Sequence, residues 1–213
     1  MRLRKKPWVA QALTGFTDIV VQSPGEALPG KWSDLFGNAL PLHVELGTGK
    51  GRFIAGMSEQ HRDLINFIGI EAKEEILYAA AQKVRERELT NVQLLVFDVN
   101  NIVTIFAPGE IDRLYINFCD PWPKNRHAKR RLTHVDFLKK YKLLVKAGGQ
   151  LWFKTDNRAL FEFSLEQFNE FGLKVHNVTY DLLHSDFTGN VMTEYETKFS
   201  AMGQPIYRCE VNF

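Results

Sequence analysis

From Pro41 onward, short apolar runs alternate with longer amphipathic ones, and this alternation limits the possible architecture more than any other property of the chain. Strands are predicted at Leu42–Leu46, Phe67–Glu71, Val92–Phe97, Leu114–Phe118, Gln150–Lys154, Leu173–Tyr180 and Ile206–Phe213. Helices are predicted at Gly51–Gln60, Lys73–Glu88, Asn101–Phe106, His134–Lys146, Arg158–Phe171 and Thr193–Ala201. Apolar strands separated by helical segments build βαβ units around a mainly parallel sheet. The expected fold is α/β: a doubly wound, mainly parallel seven-stranded sheet with an antiparallel C-terminal edge strand and helices on both faces. Residues 1–40 read as a basic arm and an irregular segment, broken by Pro7, Pro24, Gly25, Pro29 and Gly30, with a short packing turn at Trp32–Phe36. Residues 41–213 read as one domain.

The first strand runs into a glycine turn, Glu45-Leu46-Gly47-Thr48-Gly49-Lys50-Gly51, that opens a helix. Glycine allows a sharp turn and a close approach of ligand to backbone, and the helix start offers free N–H groups. Two common ligands are tested by spacing. A dinucleotide fingerprint needs a glycine three places after Gly49, where Arg52 stands. A phosphate loop needs Ser or Thr after Gly49-Lys50, where Gly51 stands. Glu45 beside the turn disfavours a pyrophosphate and favours a cationic ligand or a hydroxyl donor. Glu71 closes the second strand, 20 residues after Gly51, a place where a carboxylate commonly takes ribose hydroxyls. Asp98 closes the third strand, where it can accept an amino hydrogen of adenine.

The fourth strand leads into Phe118-Cys119-Asp120-Pro121-Trp122-Pro123-Lys124 and then a basic run to Arg131. Asp120 is placed at the carboxyl end of a buried strand, the end at which open α/β sheets bind ligands. Trp122 lies between two prolines, which restrict it and its neighbours; it can stack on a base or pack beneath the site. The net charge of +2 says less than its distribution. Arg2, Arg4, Lys5 and Lys6 crowd the start, and a second basic block runs from Lys124 to Lys146 with Asp136 as its one acid. This asymmetry fits a basic face for nucleic acid. Thr193 followed three residues later by Glu196 has the form of a capping box.

The two cysteines, Cys119 and Cys209, form neither a disulfide framework nor a metal spacing, and the histidines show no ligand pattern, so no metal is expected. No apolar run approaches the ~20 residues that span a bilayer, and the basic start lacks the apolar stretch of a signal peptide. The expectation is a cytoplasmic protein, a monomer or homodimer, with no membrane partner.

With Asp120-Pro121-Trp122-Pro123-Lys124, Lys129-Arg130-Arg131-Leu132, Lys154-Thr155-Asp156-Asn157 and Thr193-Glu194-Tyr195-Glu196, the chain resembles the Rossmann-like S-adenosylmethionine-dependent methyltransferases, and within them the bacterial tRNA (guanine-N7-)-methyltransferase family. The resemblance implies S-adenosyl-L-methionine as cofactor, tRNA as partner, and N7 of the variable-loop guanine 46 as target. It implies cofactor contacts at Glu45, Gly47, Gly49, Gly51, Glu71, Asp98 and Asp120, with Asp120 also the catalytic residue. It implies substrate contacts at Lys124, Asp156, Thr193, Glu194, Tyr195 and Glu196, and RNA contacts at Arg126, His127, Lys129, Arg130 and Arg131. Methylation of another base or of a protein amide, and RNA binding without catalysis, are the competing readings; a nicotinamide oxidoreductase fails on the glycine spacing.

Overall fold

A computed structural model describes residues 6–22 and 28–213. Arg2, Arg4, Lys5, Pro24 and Gly25 lie outside the described residues. The seven strands take the order β3-β2-β1-β4-β5-β7-β6. The chain divides into two compact units, residues 1–105 and 106–213.

In the first unit, β1 (Leu42–Leu46), β2 (Asn66–Glu71) and β3 (Val92–Val96) pair in parallel, with Val44 opposite Ile68 and Ile68 opposite Gln93. β1 is buried throughout and β2 is buried up to Glu71. Such continuous burial is the habit of parallel strands covered on both faces. The intervening helices are α3 (Arg52–Gln60) and α4 (Glu74–Glu86). In α4, Leu77, Ala80, Ala81 and Val84 recur at helical spacing and are buried. Glu74 and Glu75 in its first turn and Lys83 and Arg85 in its last complement the helix dipole.

Residues 6–22 and 28–40 hold more regular structure than the breakers suggested. They hold α1 (Trp8–Leu13), a 3-10 turn at Thr14–Phe16 and α2 (Trp32–Phe36). Tertiary packing, not helix propensity, explains them, because helices this short do not persist alone. Trp8 and Phe16 set their rings edge-on to Tyr78, at 5.4 and 5.7 Å. Val21 N–H and Leu94 N–H exchange hydrogen bonds with Leu94 and Ile19 carbonyls at 3.0 and 2.8 Å, so this segment adds a rung to β3. Trp32 is 1% exposed and its indole N–H reaches the Ile105 carbonyl at 2.8 Å. Burying a tryptophan of ~150–250 Å² contributes about 4–6 kcal/mol at 25 cal/mol per Å².

In the second unit, β4 (Ile111–Asn117) pairs in parallel with β5 (Val145–Thr155). β7 (Tyr207–Asn212) runs antiparallel to both β5 and β6 (Lys174–Thr179). The C-terminal strand is thus antiparallel, as expected, but it lies one place in from the edge, and β6 takes the edge itself. Burial explains the exchange. Arg208 through Val211 are all buried, whereas β6 exposes Lys174, Asn177 and Val178. An edge tolerates charge and polarity that an interior position does not. The helices are α5 (Val135–Leu144), α6 (Arg158–Glu170) and α7 (Glu194–Ser200). The helix expected over Asn101–Phe106 is a 3-10 segment at Val99–Thr104, and a second 3-10 segment spans Asn125–Arg130. No described helix is long and apolar enough to cross a membrane.

Candidate active site

The end of β1 and the glycine turn after it form one arrangement in the first unit. Glu45 is 2% exposed and accepts a hydrogen bond from Thr48 Oγ1 at 2.9 Å. Gly47 and Thr48 donate their N–H groups to the Ile70 carbonyl at 2.9 and 3.0 Å, which folds the turn back over the end of β2. Gly49 N–H then reaches Glu71 Oε2 at 3.2 Å, and Lys73 N–H reaches Glu71 Oε1 at 3.1 Å. The turn therefore brings Glu45, Gly47, Gly49 and Glu71 together. Desolvation holds the Glu71 carboxyl above the usual carboxylate range, against the pull of N–H groups from Lys73, Gly49 and Ala72. Asp98 is exposed beyond β3 and caps the following 3-10 segment, with Oδ1 accepting Asn100 N–H at 2.9 Å.

The three glycines serve different ends. All have positive φ: 80° at Gly47, 59° at Gly49 and 79° at Gly51. A Cβ on Gly47 or Gly49 would meet nothing within 4 Å, so both border open space. A Cβ on Gly51 would stand 2.6 Å from Ala80 Cβ and 2.9 Å from Ala80 Cα, so Gly51 lets α3 start against α4. Gly69, which sequence reasoning missed, gives Thr48 its place: a Cβ there would stand 2.7 Å from Thr48 Oγ1. No local sequence signal marks it, because its neighbours come from three other elements.

In the second unit, Asp120 lies on the loop after β4 and is exposed. Two non-glycine residues flank it in left-handed conformation, Phe118 at φ 51° and Trp122 at φ 41°. Such conformations cost about 1–3 kcal/mol each and persist where surrounding contacts impose them. Arg131 supplies part of the constraint. It is buried, donates from Nε and a terminal nitrogen to the Pro121 and Trp122 carbonyls at 3.2 and 3.0 Å, and stacks its guanidinium 4.2 Å from the Phe163 ring centre. The other basic residues of the run point outward: Lys124, Arg126, Lys129 and Arg130 are exposed and His127 half-buried. Arg130 and His127 also meet the Trp122 ring, at 4.9 and 5.7 Å.

The same unit gathers three further pieces around this loop. Phe118 N–H bonds the Lys154 carbonyl at 2.9 Å, so the loop starts beside the end of β5, where Asp156 follows Thr155. Tyr195, 60% exposed at the start of α7, lies nearly parallel to the Phe118 ring, 6.4 Å away with 16° between planes. Thr193 caps α7 by accepting Glu196 N–H at 2.9 Å, and the Glu196 side chain returns to Thr193 N–H, completing the capping box. The start of the loop that carries Asp120 is thus joined to the end of β5 and to the start of α7 through Phe118. Burial pushes the Cys119 thiol up to about 12, with Asp120 adding to the shift, so it stays protonated at neutral pH. The sequence names Phe118 and Lys154 as members of longer motifs without a role of their own, and does not name Asn190, which accepts a hydrogen bond from Lys154 Nζ at 3.0 Å. A lysine inside the apolar run Leu151-Trp152-Phe153-Lys154 was the one available signal.

A glycine turn with acids at the ends of adjacent parallel strands, in this sheet order, defines a Rossmann-like methyltransferase fold. Solved structures agree at the level of fold: a 16S rRNA methyltransferase, KamB, superposes with a TM-score of 0.66 at 10% identity, covering 86% of this chain and 93% of that one. An antibiotic-related methyltransferase superposes with a TM-score of 0.64 at 18% identity, covering 86% and 92%. The family described as "Putative methyltransferase" matches residues 39–209. The tRNA (guanine-N(7)-)-methyltransferase of Bacillus subtilis is 52% identical over 213 residues, covering 100% of this chain and 99% of the relative. That of Streptococcus pneumoniae is 50% identical, with 100% of both chains covered. The chain belongs to the bacterial tRNA (guanine-N7-)-methyltransferase family.

Proposed function

We propose that this chain transfers a methyl group from S-adenosylmethionine to N7 of a tRNA guanine, at position 46 of the variable loop, in the cytoplasm. The observation that carries this reading is full-length likeness: 52% identity over 213 residues to a tRNA (guanine-N(7)-)-methyltransferase. The residues of the first unit fit the donor. Open space borders Gly47 and Gly49, where a Cβ would meet nothing within 4 Å, and the Glu71 carboxylate stands against Gly49 as an acceptor. Gly51 shapes the turn, and Asp98 would take the adenine amino group. When bound, the donor supplies an electrophilic methyl on a sulfonium.

Guanine N7 holds an available lone pair at neutral pH, so no strong base is needed to activate it. The demand on the protein is in-line alignment, and positioning of this kind supplies several kcal/mol of a barrier. Asp120 is the proposed catalytic group, because the methylated purine gains positive charge and a fixed carboxylate stabilises charge as it develops. Lys124, Asp156, Thr193, Glu194 and Tyr195 form the proposed guanine-binding set; Glu196, which the resemblance also assigned to it, is buried with its carboxylate bonded to Lys154 and Asn190, and so does not face the base. Arg126, His127, Lys129 and Arg130 form the proposed phosphate-binding face, with Arg131 fixing the backbone that carries it. The target lies within a folded RNA whose tertiary structure must open locally, and phosphate contacts help offset that cost.

Unmodified tRNA incubated with methyl-labelled donor, followed by nucleoside analysis, tests the reading. The expected product is 7-methylguanosine, with chemical cleavage mapping it to position 46. Label on another atom or another base refutes it.

A further inference from the structure

A buried ion pair in the second unit has no part in the chemistry above. Lys154 and Glu196 contact through Nζ and Oε2 at 2.6 Å, with side chains 5% and 3% exposed. Lys154 Nζ also donates to Asn190 Oδ1 at 3.0 Å and to the Val191 carbonyl at 2.9 Å. An ammonium has three hydrogens, and three acceptors meet it. On the other side, Glu196 takes the Thr193 N–H at 3.4 Å and the side-chain amide of Asn190. One pair therefore ties residues 190–196 to the last part of β5, next to Asp156. The Lys154 carbonyl meanwhile receives Phe118 N–H at 2.9 Å, two residues before Asp120.

A charge pair taken out of water recovers its desolvation cost only through geometry this complete. Replacing such a pair by apolar side chains often costs little, while breaking it strands a charge; its best-attested use is to fix a register. The Glu196 carboxylate is committed to Lys154, Asn190 and Thr193. Its sequence neighbour Tyr195, by contrast, faces outward at 60% exposure beside Phe118.

We propose that Lys154 and Glu196 are positioning residues: their pair sets Thr193-Glu194-Tyr195 against the end of β5, and Glu196 acts on the guanine only through the segment it holds. This rests on the guanine-methylating reading of the site. The test is a double-mutant cycle in the full chain, with Lys154→Met, Glu196→Met and the double variant. kcat and KM for tRNA are measured together with the donor-binding titre from calorimetry. Each single substitution is expected to raise KM for tRNA ~10-fold or more at constant donor titre, and the double to return to within ~3-fold of the parent, because no charge is then left unpaired. A double variant as defective as Glu196→Met overturns the proposal, since Glu196 would then touch the base itself. A fall in activity that tracks the donor titre at unchanged KM also overturns it, as a sign of general unfolding.

Hydrogen exchange separates this proposal from the function it rests on. If the parent makes no 7-methylguanosine, the guanine reading fails by itself. Lys154→Met should still lose ~10-fold protection across residues 190–200 while residues 145–153 keep theirs. Unchanged protection over 190–200 overturns the latch.

Discussion

Gly51→Ala probes the closest backbone approach in the first unit. The new methyl would stand 2.6 Å from Ala80 Cβ and 2.9 Å from Ala80 Cα, at a residue with φ 79°. Neither obstacle is a flexible side-chain end, so α3 and α4 must move apart. A left-handed alanine costs about 1–2 kcal/mol, and overpacking adds about 1–3 kcal/mol. A less flexible unfolded chain gives back about 0.4–1 kcal/mol. The net loss is about 1–4.6 kcal/mol. Gly49→Ala carries the same backbone strain at φ 59° but meets nothing within 4 Å, so its net loss is about 0–1.5 kcal/mol. At about 2–4 °C per kcal/mol for a chain of this size, Gly51→Ala should melt about 2–12 °C below Gly49→Ala. Thermal unfolding followed by circular dichroism measures the difference. Donor affinity should rank the other way, since the Gly49 methyl intrudes on the open space beside Glu71. Equal melting of the two variants, or Gly49→Ala melting lower, refutes the account of why Gly51 is glycine.

Other expectations concern the acids and the basic run. Because burial raises the Glu71 carboxyl, the folded chain holds that proton more tightly than the unfolded chain. Stability should therefore fall as pH rises from 4.5, the ordinary glutamate value, through the raised one. Glu71→Gln should flatten that part of a urea-denaturation series over pH, and an unchanged slope counts against the shift. Arg131→Lys should destabilise by about 1–3 kcal/mol despite keeping its charge, because lysine cannot bond the Pro121 and Trp122 carbonyls as the guanidinium does. Lys129→Ala should leave stability alone and lower the salt slope of tRNA binding by about 0.7–0.9; matching behaviour of the two variants in either assay defeats the distinction. Asp120→Ala should reduce kcat ~100-fold or more with tRNA affinity nearly intact, and undiminished turnover removes Asp120 from the chemistry.

The sequence revealed elements wherever periodicity alone decides them. β1 spans Leu42–Leu46 as predicted, and α6 ends one residue from its predicted limit, at Glu170. Periodicity is blind to order within a sheet, which is why the place of β7 inside β6 was not legible. The helix at Trp8–Leu13 was missed because its six residues depend on α4, where Trp8 meets Tyr78, far along the chain. Within the site, the acids and glycines were visible because their chemistry is tied to strand ends. The inward turn of Arg131 was not, since a run of like charges gives no sign of which member packs against Phe163. Glu196 was readable as a cap, and the capping box is present. Its pairing with Lys154 spans 42 positions of sequence and appears only in three dimensions.

The position of β7 has a bearing on biosynthesis. β6 is synthesised before the strand that joins it to β5, because residues 207–212 are made last of the three. At about 5–20 residues per second the nascent chain carries two unjoined ribbons, β4–β5 and a solitary β6, for some seconds. During that interval the apolar side of β5 is a hazard for mispairing, so a ribosomal stall between Thr179 and Tyr207 should leave a product that aggregates before it can mature.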